Sequence, residues 1–121
     1  MQITREQRDK HSIQGYSETE IKINSVVYTQ NLWVSRETIN ADWRPQTIRE
    51  LNVAILEPLL VLQPEVIVIG HNTGGAQPPV EVLQHLSKLK IGLECMNIGA
   101  ASRTFNILLS EGRAVALGII F

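Results

Sequence analysis

The residues of this chain that could do chemistry begin with the run Gly70-His71-Asn72-Thr73-Gly74-Gly75. It follows an apolar stretch and precedes a helical pattern. In open α/β sheets that junction is where ligands bind, and glycines let backbone N–H groups approach an anion. Gly70, His71 and Thr73 are therefore candidate site residues. Against this, no Lys-Ser/Thr pair follows to make a nucleotide phosphate loop, and the dinucleotide fingerprint spacing is absent. Pro78-Pro79, at the start of the following helix, lack N–H donors. A plain connector outweighs an anion cradle.

A second group is Glu94, Arg103, Asn106, Glu111 and Arg113, a dense polar set in an otherwise apolar half. Arg103 and Asn106 are three apart and share a helix face with Ser110. Glu94 lies mid-strand among apolar residues, so a structural pair with Arg103 or Arg113 is expected. Acid–base catalysis would need two groups tuned apart in a cleft, and nothing in the pattern demands that. His11, His71 and His85 show no metal-ligand spacing with one another or with Cys95, so no metal site and no cofactor is assigned. Cys95 is expected to be an inert, small core residue. Trp33 and Trp43 are core fillers or core edge, with Trp33 the candidate for an interaction surface.

The elements that must position these groups can be read from the pattern. Residues 1–15 are polar and aperiodic and are expected to be mobile or loosely docked. Ile21 and Ile23, then Asn24-Ser25, then Val26-Val27-Tyr28 read as a β-hairpin, with Leu32 to Ser35 extending or following it. Ile39 to Trp43 adds a short strand. Asn52 caps a helix from Val53 to about Gln63, kinked by Pro58 and ended by Pro64. Val66-Ile67-Val68-Ile69 is apolar at every position, the mark of a strand covered on both faces. A helix with Val82, Leu83, Leu86 and Leu89 at helical spacing follows, and Gly92 marks its exit. After the strand Leu93 to Met96, Asn97 caps a helix over 100–110 that Gly112 ends. The last strand, Ala114 to Phe121, puts Ala114, Ala116 and Gly118 on one face, where a helix could approach closely. The order is that of an α/β fold.

With 121 residues, 44% hydrophobic and 19% charged, the chain suits one domain over 1–121 and excludes a disordered polymer. Its net charge of -1 and lack of a basic stripe argue against a nucleic-acid partner. The apolar runs are too short to insert in a bilayer. One cysteine fits a reducing compartment, and the first residues resemble neither a secretory signal nor a presequence, so a cytoplasmic location is expected.

The block Glu94 to Asn97, Ala100 to Leu109 and Glu111 to Val115 resembles the Mth-type family of small hypothetical proteins of archaea, bacteria and mitochondria. The hairpin at 23–28, Trp43 and Ile67 to Gly70 match it in kind and order. One mitochondrial member of that family is an assembly factor for respiratory complex I. The resemblance covers roughly residue 20 to the C-terminus. It implies three layers, a central mixed sheet flanked by helices with an additional β-hairpin element, and a last strand antiparallel to its neighbours. It implies no enzymatic activity. Ser25 stands where a turn glycine is usual, and Asn97 where an acidic residue is usual. His71-Asn72 stands where a second glycine follows Gly70, which counts against carrying over any ligand held there by relatives.

The expected function is thus a protein-interaction or assembly module without catalysis. It would have a protein partner or a second copy of itself, and an exposed apolar patch near the hairpin and Trp33. The alternative is a small-molecule or anion binder, or a minor enzyme, using the Gly70 to Gly75 loop and the Glu94/Arg103 cluster.

Overall fold

A two-residue turn opens the architecture. In the computed structural model, which describes residues 11–121, Asn24 and Ser25 hold φ of 52° and 66°. Two consecutive left-handed residues twist a hairpin the way its strands twist. They fold β2 (Ile21–Ile23) antiparallel onto β3 (Val26–Tyr28), with Ile23 opposite Val26. A short β1 (Gly15–Tyr16) pairs with the other side of β2, giving a three-stranded sheet. Ile21 and Ile23 are buried and Lys22 is exposed, the period-two pattern of a sheet with one wet face.

The chain then leaves that sheet. β4 (Leu32–Ser35) does not extend the hairpin but joins a second, five-stranded sheet of order β5-β4-β8-β6-β7. Leu32, Trp33 and Val34 are all buried, so this strand needs cover on both faces, which a hairpin with one wet face cannot give. The other members are β5 (Ile39–Asn40), β6 (Val66–His71), β7 (Gly92–Met96) and β8 (Val115–Ile120). β6 and β8 lie side by side inside the sheet, and every residue of β8 is buried.

β8 runs parallel to β6 and antiparallel only to β4, a correction to the expected antiparallel pairing on both sides. The reason is the crossover through a helix. Strand–helix–strand units return the chain parallel, as β6 and β7 also are.

Three helices complete the layers. α1 (Val53–Leu60) is capped by Asn52, whose side chain accepts from the Ile55 N–H at 2.8 Å. It ends before the expected Gln63, because Gln63 has φ 54° and precedes Pro64, which disfavours the helical region for its neighbour. α2 (Val80–Lys88) exits through Lys90, at φ 61°, with the Ile91 N–H on the Leu86 carbonyl at 3.0 Å; Gly92 opens β7 instead of ending the helix. α3 (Ile98–Ser110) is capped by Asn97 through the Ala100 N–H at 2.8 Å and closed by Gly112 at φ 77°.

α3 and the three-stranded sheet cover one face of the large sheet, around Ile21, Ile23, Val68, Phe105 and Leu117. α1, α2 and the Trp43 loop cover the other, around Trp33, Leu56, Ile67, Ile69 and Leu86. The small-residue face of β8 receives an indole ring instead of a helix. A Cβ added to Gly118 would sit 2.6 Å from the Trp43 ring. The structure is thus three-layered, a mixed central sheet between helices with a hairpin element beside α3.

Candidate functional site

Gly70 ends the apolar run of β6, but its smallness serves packing. A Cβ there would lie 2.9 Å from the Ala101 Cβ and 3.2 Å from the Ile98 Cα, so only glycine lets α3 cross this close. His71 is 8% exposed and its Nδ1 accepts from the Thr73 N–H at 3.2 Å, which leaves the ring proton on Nε2. Burial lowers its pKa, so the imidazole is held neutral. The Thr73 carbonyl accepts from the Ala76 N–H at 3.1 Å, and Gly75 adopts φ 78°. The loop is a closed turn, tied to the N-terminal region by the Asn72 amide donating to the Glu18 carbonyl at 2.9 Å.

Beside this turn the C-terminal end of β7 completes a cleft of about 380 Å³, lined by His71, Asn72, Gly74, Gly75, Cys95 and Asn97 among others. That volume falls within the range of small-molecule sites. The Cys95 thiol is pushed up to about 11 by burial and then by the nearby Glu94 carboxylate, so it stays protonated at neutral pH. The cleft offers hydrogen bonds and a neutral imidazole, not a thiolate nucleophile with its base.

The polar set of Glu94, Arg103, Asn106, Glu111 and Arg113 does not assemble. Arg103 on α3 donates to the Tyr16 hydroxyl at 2.6 Å and lies 5.8 Å from that ring's centroid. Arg113 pairs with Glu65 at 2.7 Å and more loosely with Glu111 at 3.9 Å. Glu94 is exposed and, among the described residues, forms no ion pair, which corrects the expected bond to Arg103 or Arg113. The physical reason is its place on a sheet border, where water solvates the carboxylate and no buried charge demands a partner.

Asn106 faces the N-terminal segment. Its Oδ1 accepts from the Ile13 N–H at 2.7 Å and its Nδ2 donates to the Ile13 carbonyl at 3.0 Å, a side chain acting as a strand partner. This docks residues 11–15, of which His11 and Ile13 are buried, where a loosely held segment was expected; residues 1–10 of that expectation lie outside the described residues. His11 Nδ1 also contacts the Ser35 carbonyl at 2.8 Å.

Trp33 is 6% exposed and faces α1 and α2, while the hairpin covers the opposite face of the sheet, so the two do not form one patch. Trp33 and Trp43 line a second cleft, of about 310 Å³, with Arg44, Asn52, Ile55 and Pro58. Exposed apolar side chains lie elsewhere, among them Val26 and Val27 on β3, Val61 and Leu62 just beyond α1, Ile107 on α3, and Val80, Leu83 and Leu89 along or just beyond α2. Sequence reasoning missed Tyr16 and also Arg36, whose guanidinium donates to the Leu109 and Arg113 carbonyls at the end of α3. Both contacts span more than 70 positions, which local pattern cannot reveal. Among the described residues, no three His, Cys, Asp or Glu side chains gather as metal ligands. No helix among the described residues is long and apolar enough to cross a membrane.

A family model described as a protein of unknown function (DUF498/DUF598) matches residues 13–120. The 13 kDa major membrane protein of Francisella tularensis subsp. holarctica is 30% identical over 73 residues, covering 60% of this chain and 59% of that protein. The Drosophila melanogaster NADH dehydrogenase (ubiquinone) 1 alpha subcomplex assembly factor 3 is 26% identical over 113 residues, covering 89% of this chain and 57% of its own length. The chain thus spans less than two thirds of each of these curated relatives. A solution structure from Xanthomonas campestris superposes with a TM-score of 0.83 at 30% identity, covering 99% of this chain and 92% of that one.

Proposed function

The chain belongs to the DUF498/DUF598 family of proteins of unknown function, and on that footing we propose that it is a protein-interaction or assembly module that performs no catalysis. The observation that carries this reading is the alignment of nearly nine tenths of the chain with a protein named as an assembly factor. The surface supports it. Val80 and Leu83 sit together on the outer side of α2 at 62% and 42% exposure, and Val26 and Val27 stand on β3. Neighbouring apolar side chains left in water suit contact with another apolar surface, such as that of a protein partner or a second copy, better than with nucleic acid. We place the module in the cytoplasm, in keeping with its one cysteine, which has no second cysteine in the chain to form a disulfide with.

The test is cross-linking of the tagged full chain in its native cell, followed by sizing of what it purifies with. A stoichiometric partner or a defined self-assembly that Leu83→Ser weakens is expected. A chain that is recovered alone and monomeric overturns the reading.

A second reading has one observation in its favour, the cleft beside His71. It would hold a small neutral or anionic molecule by loop amides and the Asn97 side chain. Thermal shift with phosphate, a nucleotide and a dicarboxylate separates the two. A midpoint raised by one of these and cancelled by His71→Phe favours the small-molecule reading.

A further inference from the structure

Strand β7 is the last in the five-stranded order, so one of its edges has no strand neighbour among the described residues. The Gly92 N–H donates to the Glu65 carbonyl at 2.9 Å, so Gly92 turns its main chain inward, toward β6. By the two-residue alternation of a strand, Glu94 and Met96 also bond inward, while the N–H and C=O groups of Leu93 and Cys95 face out. No backbone hydrogen bond from either of those N–H groups occurs among the described residues outside the strand ladder. Their side chains are half-buried against the α2 layer, so the edge is firmly seated.

Natural sheets blunt such an edge with prolines, bulges or charged side chains, lysine above all. This one has no proline, bulge or lysine, and its single charge is an acid, Glu94, at its centre, which an opposite charge on an added strand would complement. The carboxylate is exposed, and the two arginines expected to pair with it are occupied, Arg103 by Tyr16 and Arg113 by Glu65. A second copy of β7, laid antiparallel in the register that overlaps the whole strand, would set Glu94 against Glu94. Like charges directly opposed across strands are destabilising.

We propose that the outer edge of β7 is a docking site for an extended segment of a partner protein, which adds as a sixth strand and places a lysine or arginine opposite Glu94. This rests on the interaction reading and names where the partner binds. The main chain of Leu93 and Cys95 supplies affinity independent of sequence, and Glu94 supplies selection by charge.

The probe is a short synthetic peptide of alternating threonine and valine with one central lysine, beside a twin with central glutamate. Amide hydrogen exchange on the full chain is expected to slow at Leu93 and Cys95 with the lysine peptide. The twin should bind roughly two- to fivefold more weakly, the change one cross-strand charge pair supplies. In the Glu94→Lys variant, whose altered side chain lies in solvent, the preference should invert. Unchanged exchange at both amides with both peptides overturns the proposal, as does a preference that Glu94→Lys leaves alone. Slowed exchange that follows the protein's own concentration without peptide assigns the edge to a second copy and also overturns it. A native partner whose capture survives Glu94→Lys sinks this site while leaving the interaction reading intact. Peptide binding judges the edge even if no native partner is captured.

Discussion

The Asn106 amide is the clearest case of a polar side chain that reads as functional in sequence and works structurally. Both its ends bond to the main chain of Ile13, holding a segment that no helix or long strand secures. Asn106→Ala should cost about 1–3 kcal/mol, since it strands a donor and an acceptor that are largely shielded from water. Chemical denaturation measures this, and an unchanged midpoint would mean that Ile13 is held by its apolar side chain alone. His71 provides the matching pH dependence. Its folded-state pKa lies below its ordinary value because burial penalises the charged ring. Folding therefore favours the neutral form, so its contribution is full above an unfolded pKa of about 6.5 and is lost as pH falls through the lowered folded value. The stability of His71→Gln should be flatter than the parent's as pH falls below about 6.5, read from urea midpoints across that range. Equal slopes would show that the ring is as solvated in the folded state as in the unfolded one.

At the scale of elements, the hairpin carries a defect that the sequence exposes and the structure explains. Asn24-Ser25 must hold two left-handed residues, and Ser25 does so at φ 66° with a Cβ that this region penalises. Asparagine followed by glycine is the preferred pair. Ser25→Gly should stabilise the protein by about 1 kcal/mol, the strain relieved less the entropy glycine costs in the unfolded chain. A thermal midpoint that falls would show that the Ser25 N–H bond to the Gln14 side chain depends on the serine conformation. The hairpin, the capped start of α1, the buried β6 and the closing glycine of α3 were legible because each is written in a few adjacent residues. The sheet to which β4 belongs was not, because nothing local distinguishes a strand that continues a hairpin from one that crosses to another layer. The polarity of β8 toward β4 and β6 was likewise out of reach of spacing alone. The candidate site fared worse. Gly70, Glu94 and Arg103 were singled out by type, but what each touches is set by elements far away in sequence. Gly70 meets α3, Arg103 meets Tyr16, and Glu94 stands at a border that only the strand order reveals.

For the whole molecule, the decisive element is β8, which belongs to both cores at once. Leu117 and Ile119 point into the layer with Phe105, and Ala116 and Ile120 into the layer with the tryptophans. Deleting Ile119 to Phe121 removes backbone pairs to β4 and β6 together and should leave the chain unable to fold. A subtler test follows from where the two tryptophans sit. Trp33 and Trp43 lie in the α1/α2 layer, so their fluorescence reports that face, while the buried Phe105 packs only on the other. If the residues from 11 to 121 form one cooperative domain, damage on one face must be felt on the other. Phe105→Ala should cost about 3–5 kcal/mol by transfer and cavity terms. The tryptophan transition should then move by the same amount as the transition seen by far-ultraviolet circular dichroism. Fluorescence that melts at the parent's midpoint while the helical signal drops would divide the molecule along the plane of its central sheet. The shared strand argues against that outcome, because Ala116 and Leu117 are consecutive residues on opposite faces, and neither face can lose β8 alone.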